Sequence, residues 1–131
     1  MSIRQEVEKT LKAFADSKGI TMAYEGRAFE KPKKAASYIE YMLEEPVVMN
    51  PTVDVTRVRK YGVIQVICFV EDNKGMGPLD TLTEEVAALF PVHLKQKFTS
   101  FTVEQTPSVS SSFNEGVFRC AVVRVKYRQE L

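Results

Sequence analysis

Apolar residues recur at helical spacing in two stretches of the chain. The first predicts a helix over residues 2–18 and the second a helix over residues 79–90, because the apolar positions of each fall on one helical face. Pro91 cannot continue a regular helix and ends the second one. The apolar positions are Ile3, Val7, Leu11 and Phe14 in the first stretch, and Leu79, Leu82, Val86, Leu89 and Phe90 in the second.

The ends of these helices carry capping signals. Ser2 is placed to cap the first turn, and Gln5 is placed to reach back to it, as in a capping box. Gly19 follows Lys18 and ends the first helix, since glycine readily adopts the left-handed conformation found there. Asp80 lies in the first turn of the second helix, where a negative charge suits the helix dipole.

Five further segments either alternate apolar and polar residues or are continuously apolar, and both patterns are typical of strands. They lie at residues 20–25, 38–44, 52–71, 99–104 and 117–127. Gly62 predicts a bulge or bend within the third of them, which is then one long bent strand or two shorter ones. Residues 26–37 and 106–112 are rich in turn-forming residues and are predicted to be loops.

The third segment has the pattern of a central strand. One of its faces holds Ile64, Val66, Cys68 and Val70, and the other holds Val63, Gln65, Ile67 and Phe69. Because both faces are largely apolar, a helix is expected to cover at least one of them. The order α-β-β-β-α-β-β with short connections predicts an α+β fold: a mixed, mostly antiparallel sheet of about five strands with two main helices packed on one face.

The composition indicates an ordinary globular domain. A length of 131 residues suits a single domain, residues 1–131, with a sizeable core. The net charge of +1, from 18 basic and 17 acidic residues, argues against a dedicated nucleic-acid binder. The chain has no apolar run near the ~20 residues that span a bilayer, and no signal-peptide pattern. We therefore expect cytosolic synthesis and no membrane partner.

The chain offers little catalytic chemistry. Cys68 and Cys120 lie within predicted strands and are expected to be buried, reduced thiols, although a disulfide is open if their strands are neighbours. His93 has no recognisable nucleophile or orienting partner, and one histidine with two distant cysteines does not make a zinc site. The glycines of Gly75–Gly77 lack the spacing of a nucleotide-binding loop. We expect no catalytic residues, no metal and no cofactor.

Basic residues recur on predicted strand faces. Arg57 and Arg59 share one face of the third strand, and Arg124, Lys126 and Arg128 share one face of the last strand. Such residues are often solvated and protect a sheet edge from accidental pairing. If the two strands are neighbours, they instead form a basic patch that suits an acidic partner surface or passing contact with nucleic acid.

Several features follow one another along nearly the whole chain. They are the N-terminal helix from Ile3-Arg4-Gln5, the strand ending in Tyr24-Glu25-Gly26, Asn50-Pro51-Thr52, Arg59, Gly62, Gln65-Val66, the loop Gly75-Met76-Gly77, Ala88-Leu89-Phe90-Pro91, Pro107-Ser108-Val109 and Tyr127-Arg128. In this order and at this length, the chain resembles the family of small phage tail proteins that includes the lambda-like tail terminator.

The resemblance implies a structural, non-enzymatic role. Proteins of this kind form a ring, typically a hexamer, that caps the growing tail tube, ends its polymerisation and presents a surface for joining the head. The implied partners are other copies of the chain, the tail tube protein and a head-completion protein, with passing contact with DNA in the lumen. The implied location is the virion tail, assembled in the host cytoplasm, in an active phage or a prophage.

A ring requires contact surfaces, and two loops and two strand faces are the candidates. The loops are residues 71–78 and 106–116. The candidate contact residues are Arg57, Arg59, Asp72, Lys74, Met76, Arg124, Lys126 and Arg128.

An alternative hypothesis is a small α+β ligand-binding or regulatory module. Such a module needs a concave pocket with a few convergent polar groups. The residues available to line it are Tyr38, Tyr41, Arg59 and Gln65.

Overall fold

The computed structural model describes residues 2–26, 37–44, 47–49, 59–72, 75–92 and 98–130. These residues form two helices and eight strands. The helices are α1 (Ile3–Lys18) and α2 (Gly77–Ala88). The strands are β1 (Thr21–Ala23), β2 (Tyr38–Leu43), β3 (Val47–Met49), β4 (Arg59–Glu71), β5 (Thr102–Val103), β6 (Ser108–Val109), β7 (Phe113–Glu115) and β8 (Phe118–Glu130).

All eight strands belong to one sheet. Its main path runs β1-β2-β4-β8-β5, while β3 also pairs with β4, and β6 and β7 also pair with β8. The β1–β2 pair is parallel and the other pairs are antiparallel. The predicted α+β fold is therefore confirmed, but the count of about five strands is too low. The described strands lie in five rows, since β3 continues the row of β2, and β5, β6 and β7 share one edge of β8.

The long strands β4 and β8 form the centre of the sheet. They pair residue for residue over 13 positions, from Arg59 opposite Glu130 to Glu71 opposite Phe118. Gly62 lies opposite Tyr127 within this unbroken register. The register has no bulge at Gly62, and of the two predicted alternatives β4 is the single long strand.

The edge beside β8 is irregular. Between the β5 and β6 pairings, residues 104–107 lie against residues 125–126, and between the β6 and β7 pairings, residues 110–112 lie against residues 121–122. The extra residues bulge out of the ladder, which leaves only short segments open to further pairing. The loop predicted over 106–112 is thus partly wrong, because it contains β6.

Helix α1 begins and ends as predicted. The Ser2 hydroxyl accepts a hydrogen bond from the Gln5 backbone N–H at 3.2 Å, and the Ser2 backbone N–H donates to Gln5 Oε1 at 2.8 Å. Gly19 ends the helix in the left-handed conformation with φ of 69°. These reciprocal bonds satisfy backbone groups that the first turn leaves without helical partners.

Helix α2 lies two residues earlier than the predicted 79–90. Pro78 occupies its first turn, where the missing N–H costs no helical hydrogen bond. At the other end, the chain turns at Leu89 and buries Phe90 completely. The last turn is tightened, since the Leu89 N–H donates to the Val86 carbonyl oxygen and the Phe90 N–H to that of Ala87. Pro91 disfavours helical conformation at the residue before it, so the helix ends here as predicted.

Both helices pack on the same face of the sheet. The predicted inner positions of β4, including Ile64, Val66 and Cys68, are fully buried beneath them in one core. The opposite face, called here the open face because no described helix packs on it, carries a smaller cluster. Its members are Tyr38, Phe69, Phe118 and Cys120, with Ile67 packed against them.

The two cysteines lie on neighbouring strands but on opposite faces. Cys68 is paired in register with Ala121, under the helices, whereas Cys120 is paired with Phe69 on the open face. Both are buried and neither forms a disulfide. Within the described part of the chain, neither helix is long and apolar enough to cross a membrane.

Candidate functional site

The basic side chains of β8 project from the open face. Val123 and Val125 are fully buried beneath the helices, so the alternating Arg124 and Lys126 point the other way and are exposed. The register with β4 continues this arrangement, and Arg59 lies at the same end of the ribbon. We call this surface the basic end, and it consists of Arg59, Arg124, Lys126 and Arg128.

Two glutamates partly neutralise the basic end. Arg124 Nη2 lies 3.3 Å from Glu44 Oε1, and Arg128 Nη1 lies 3.9 Å from Glu104 Oε1. The first pair is exposed and the second is half-buried, and solvent-accessible pairs contribute about 0–1 kcal/mol to stability. Glu44 and Glu104 therefore each pair with one of the four cations. No ion pair joins Lys126 to another described residue.

The other end of the β4–β8 ribbon brings the two candidate contact loops together. Arg119 Nε donates to Asp72 Oδ1 at 3.3 Å, and Arg119 Nη1 donates to Ser112 Oγ at 3.2 Å. The Asp72 backbone N–H also donates to the Val117 carbonyl oxygen at 2.9 Å. Arg119 therefore ties the loop after β4 to the connection between β6 and β7.

Exposed apolar side chains surround this junction. Met76, Phe113 and Val117 are 41%, 42% and 60% exposed, and large apolar side chains in solvent often mark interaction sites. Met76 lines a shallow depression with Asp72 and Arg119. The apolar side chains thus flank an ion pair that fixes the loops carrying them.

Two further carboxylates lie at the same end. Glu71 and Glu115 are both paired in register with Phe118, one from each neighbouring strand, so they flank its ring on the open face. At a strand spacing of about 4.8 Å, the two strands that carry them are about 10 Å apart. We call this end of the ribbon the acidic tip. It has Glu71 and Glu115 on the open face and Arg119 on the face of the helices. Its members are Glu71, Asp72, Met76, Phe113, Glu115, Val117 and Arg119.

An aromatic cluster supports the acidic tip from below. The rings of Tyr38 and Phe69 stack with centroids 4.2 Å apart, and the Phe118 ring meets both edge-on at 5.1 and 6.0 Å. All three side chains are buried. Aromatic pairs in these geometries add to the stability gained from burial, so the tip stands on a well-packed base.

The candidate contact residues therefore divide between two surfaces. Arg119 and Lys126 are seven residues apart on β8, which corresponds to about 24 Å. Asp72 and Met76 belong to the acidic tip; Arg59, Arg124, Lys126 and Arg128 belong to the basic end. Arg57 and Lys74 lie outside the described residues. The sequence pattern does not single out Phe113, Glu115, Val117 and Arg119. Their position at this end becomes visible only when β7 pairs with the start of β8, which itself pairs with the end of β4.

The side chains suggested for a ligand pocket do not converge. Tyr38, Arg59 and Gln65 lie on the open face, but Tyr41 lies beneath α1, because neighbouring strand positions alternate. The Tyr41 hydroxyl donates to Glu8 Oε1. Burial, together with this bond, raises the pKa of Tyr41 to about 12. The predicted pocket of these four residues is therefore wrong.

A groove of about 660 Å³ lies elsewhere, between α1 and the chain before β5. Its walls include Phe14, Leu89 and Phe98, with Glu6 at its rim. The Glu6 carboxylate is occupied by hydrogen bonds within the chain.

Among the described residues, no three His, Cys, Asp or Glu side chains are grouped to hold a metal ion. His93 lies outside the described residues.

Comparison with known proteins agrees with the resemblance seen in the sequence. A family model described as phage tail terminator protein matches residues 2–127. Among the solved structures that match, one has a TM-score of 0.74 at 21% sequence identity, over 97% of this chain and 92% of its own. This likeness shows a shared fold. No curated protein matches the chain.

Proposed function

The chain belongs to the phage tail terminator family, and from this premise we propose that it is a ring-forming subunit that caps the tail tube. The ring ends polymerisation of the tube and provides the surface to which the head is joined. The observation that carries the proposal is the family match, which covers residues 2–127 of 131. Membership itself establishes a structural role in the phage tail.

Two features of the fold support a ring subunit. The basic end and the acidic tip are different surfaces at opposite ends of one rigid ribbon, as head-to-tail assembly requires. The bulged edge beside β8 also disfavours open-ended strand pairing between copies. We propose a hexamer, with residues 1–131 as one terminator-like domain and without enzymatic activity.

The proposed partners follow from the position of a terminator. One side of the ring meets the tail tube protein and the other meets the head-completion protein. DNA passing through the lumen makes transient contact with basic side chains, which the basic end supplies. The protein is assembled in the host cytoplasm and remains in the virion tail.

Tube length tests the proposal directly. Purified tail tube protein is polymerised with and without this chain, and the products are imaged by electron microscopy. We expect shorter tubes with a ring at one end, whereas the thermally unfolded chain, added as a control, leaves tube length unchanged. Light scattering should give a mass six times that of the 14.9 kDa chain for the ring. Tubes of unchanged length without rings would contradict the proposal.

The alternative, a ligand-binding or regulatory module, has less support. Its four suggested residues lie on both faces of the sheet, so they supply no convergent polar site. A reproducible rise in melting temperature with a metabolite would favour that alternative over the ring.

A further inference from the structure

We propose that the Glu25 side chain closes the outer edge of β2 against pairing with a strand of a second copy of the chain. Arg4 on α1 holds this side chain in place. Exposed strand edges are ready templates for pairing with further chains, and folded proteins block them with specific devices. The inference goes beyond the proposed ring, because it concerns an edge that stays closed in the free chain and in any assembly.

Strand β1 covers only part of this edge. It is parallel to β2 and pairs with three of its six residues, ending with Ala23 opposite Glu40, while β2 continues to Leu43. In the same register, Gly26 would lie opposite Leu43. Gly26 instead has φ of 80°, so the chain turns out of the sheet before it reaches that position. Among the described strands, none pairs with the outer side of β2 beyond Glu40.

The Leu43 backbone N–H points to this uncovered edge. The next residue, Glu44, donates its N–H to the Val63 carbonyl oxygen on the β4 side at 2.9 Å. Neighbouring backbone groups of a strand point in opposite directions, so the Leu43 N–H points away from β4. Glu25 Oε2 accepts its hydrogen bond at 2.8 Å. The carboxylate thus takes the place that a carbonyl oxygen of a pairing strand would fill.

A second bond fixes the carboxylate in this position. Arg4 Nη1 lies 3.1 Å from the same oxygen, Glu25 Oε2. The Arg4 guanidinium also donates to the Tyr41 hydroxyl at 3.5 Å, and that hydroxyl donates to Glu8 one turn further along α1. The first two turns of α1 therefore hold the side chain that covers the edge. An incoming strand must break both bonds of Glu25 to reach the Leu43 N–H.

Pairing at this edge would also bury a charge. The Glu25 carboxylate is accessible to water, and a strand laid over it would remove that water without supplying a donor for it. Burying a charge without a partner is costly. The two edges of the sheet are thus protected by different means, with bulges in the backbone beside β8 and a charged side chain beside β2.

Hydrogen exchange and sedimentation velocity together test the block. Glu25→Ala removes the acceptor, and in dilute solution we expect the Leu43 amide to exchange roughly fivefold faster or more, because it loses its hydrogen bond. With rising concentration, the variant should form species larger than any formed by the unchanged chain. Exchange at Leu43 should then slow again, since a strand of a second copy supplies a carbonyl oxygen to this amide.

Two further variants complete the comparison. Glu25→Gln keeps an oxygen that accepts from the Leu43 N–H but loses the ion pair with Arg4, so it should lie between the unchanged chain and Glu25→Ala in both measurements. Glu104→Ala is the matched control, because it removes another carboxylate that pairs with an arginine, Arg128, near the opposite edge of the sheet. It should leave both the exchange at Leu43 and the size of the species unchanged.

Each outcome supports or overturns the block. Unchanged exchange at Leu43 in Glu25→Ala overturns it, and so does faster exchange without larger species. Larger species in which Leu43 still exchanges fast also overturn it, because the copies then meet elsewhere. If urea unfolding shows that Glu25→Ala does not fold, Glu25→Gln decides against Glu104→Gln as its control, and equal exchange and size in these two overturn the block. The tube-length assay remains a separate test of the proposed function.

Discussion

The ring of Tyr127 lies over Gly62 on the neighbouring strand. A Cβ atom at Gly62 would lie 2.5 Å from both Cζ and Oη of Tyr127, closer than atoms can approach. Tyr127 is buried and its ring meets that of Phe101 edge-on at 5.7 Å, so it has little room to move. Glycine is therefore required here by close approach of a side chain, in a register without a bulge.

Gly62→Ala should destabilise the fold. Forcing a methyl group against a packed ring typically costs about 1–3 kcal/mol in the free energy of unfolding. Urea unfolding measures this cost. Gly77→Ala is the matched control, because a Cβ there meets nothing within 4 Å and α2 accepts alanine. We expect the control to change stability by about 0.5 kcal/mol or less, or to increase it. Equal stability of the two variants would contradict the packing argument.

Glu6 on α1 should anchor the chain before β5. Its carboxylate accepts hydrogen bonds from the Thr99 backbone N–H at 3.0 Å, the Thr99 hydroxyl at 2.7 Å and the Ser100 backbone N–H at 2.6 Å. Glu6→Gln weakens these charge-assisted bonds, and we expect a loss of about 1–3 kcal/mol in the free energy of unfolding. Glu84→Gln, exposed on α2, should lose far less in the same urea titration.

The anchor should also depend on pH. Burial opposes ionisation of Glu6, but hydrogen bonds from Ser100 and Thr99 outweigh it and lower the pKa below its usual 4.5. A lowered pKa in the folded state means that stabilisation is present above pH 4.5 and is lost as the pH falls through the lower value. The difference in unfolding free energy between the unchanged chain and Glu6→Gln should therefore shrink below pH 4.5. A constant difference across this range would exclude the carboxylate as its cause.

The cysteines should be unreactive in the folded protein. Burial raises the pKa of Cys68 to about 12, so its reactive thiolate is scarce at neutral pH. Cys120 is also fully buried. We expect slow alkylation of both thiols at pH 8, and rapid alkylation in denaturant. A cysteine introduced at the exposed position of Ser111 provides the control and should react rapidly. Fast reaction of either native thiol would contradict its burial.

Local patterns predict the helices better than the sheet edge. The α1 boundaries follow from Ser2, Gln5 and Gly19, whose capping bonds lie within a few residues of one another. Pro91 likewise predicts the end of α2 to within two residues, because a proline disfavours helical conformation in the residue before it. For the edge beside β8, the sequence pattern predicts one strand and one loop. It misses β6, β7 and the bulges between them, because these depend on pairing with β8 rather than on local periodicity.

The same distinction applies to the candidate site. Alternation alone places Arg124, Lys126 and Arg128 on one face, since β8 is regular. The acidic tip depends on the register of three strands, which brings Asp72, Ser112 and Arg119 together. No spacing in the sequence shows that contact, so the sequence predicts Asp72 as a contact residue without its partner Arg119.

Arg119 should hold the acidic tip in shape rather than stabilise the whole fold. Its pairs with Asp72 and Ser112 are partly exposed, so Arg119→Gln should lower the free energy of unfolding by only about 0–1 kcal/mol. Without them, the loop after β4 opens more often, and the Asp72 backbone N–H exchanges with solvent faster. Hydrogen exchange followed by NMR measures this rate.

A variant at the other end of β8 shows whether the effect is local. Arg124→Gln removes the pair with Glu44, which is similarly exposed, and should leave exchange at Asp72 unchanged. In both variants, exchange in the paired centre of β8, such as at Val123, should match that of the unchanged chain because the ladder with β4 is intact. Equal exchange at Asp72 in Arg119→Gln and the unchanged chain would mean that the tip is held by its backbone bond to Val117. Arg119 would then contribute only charge to the tip.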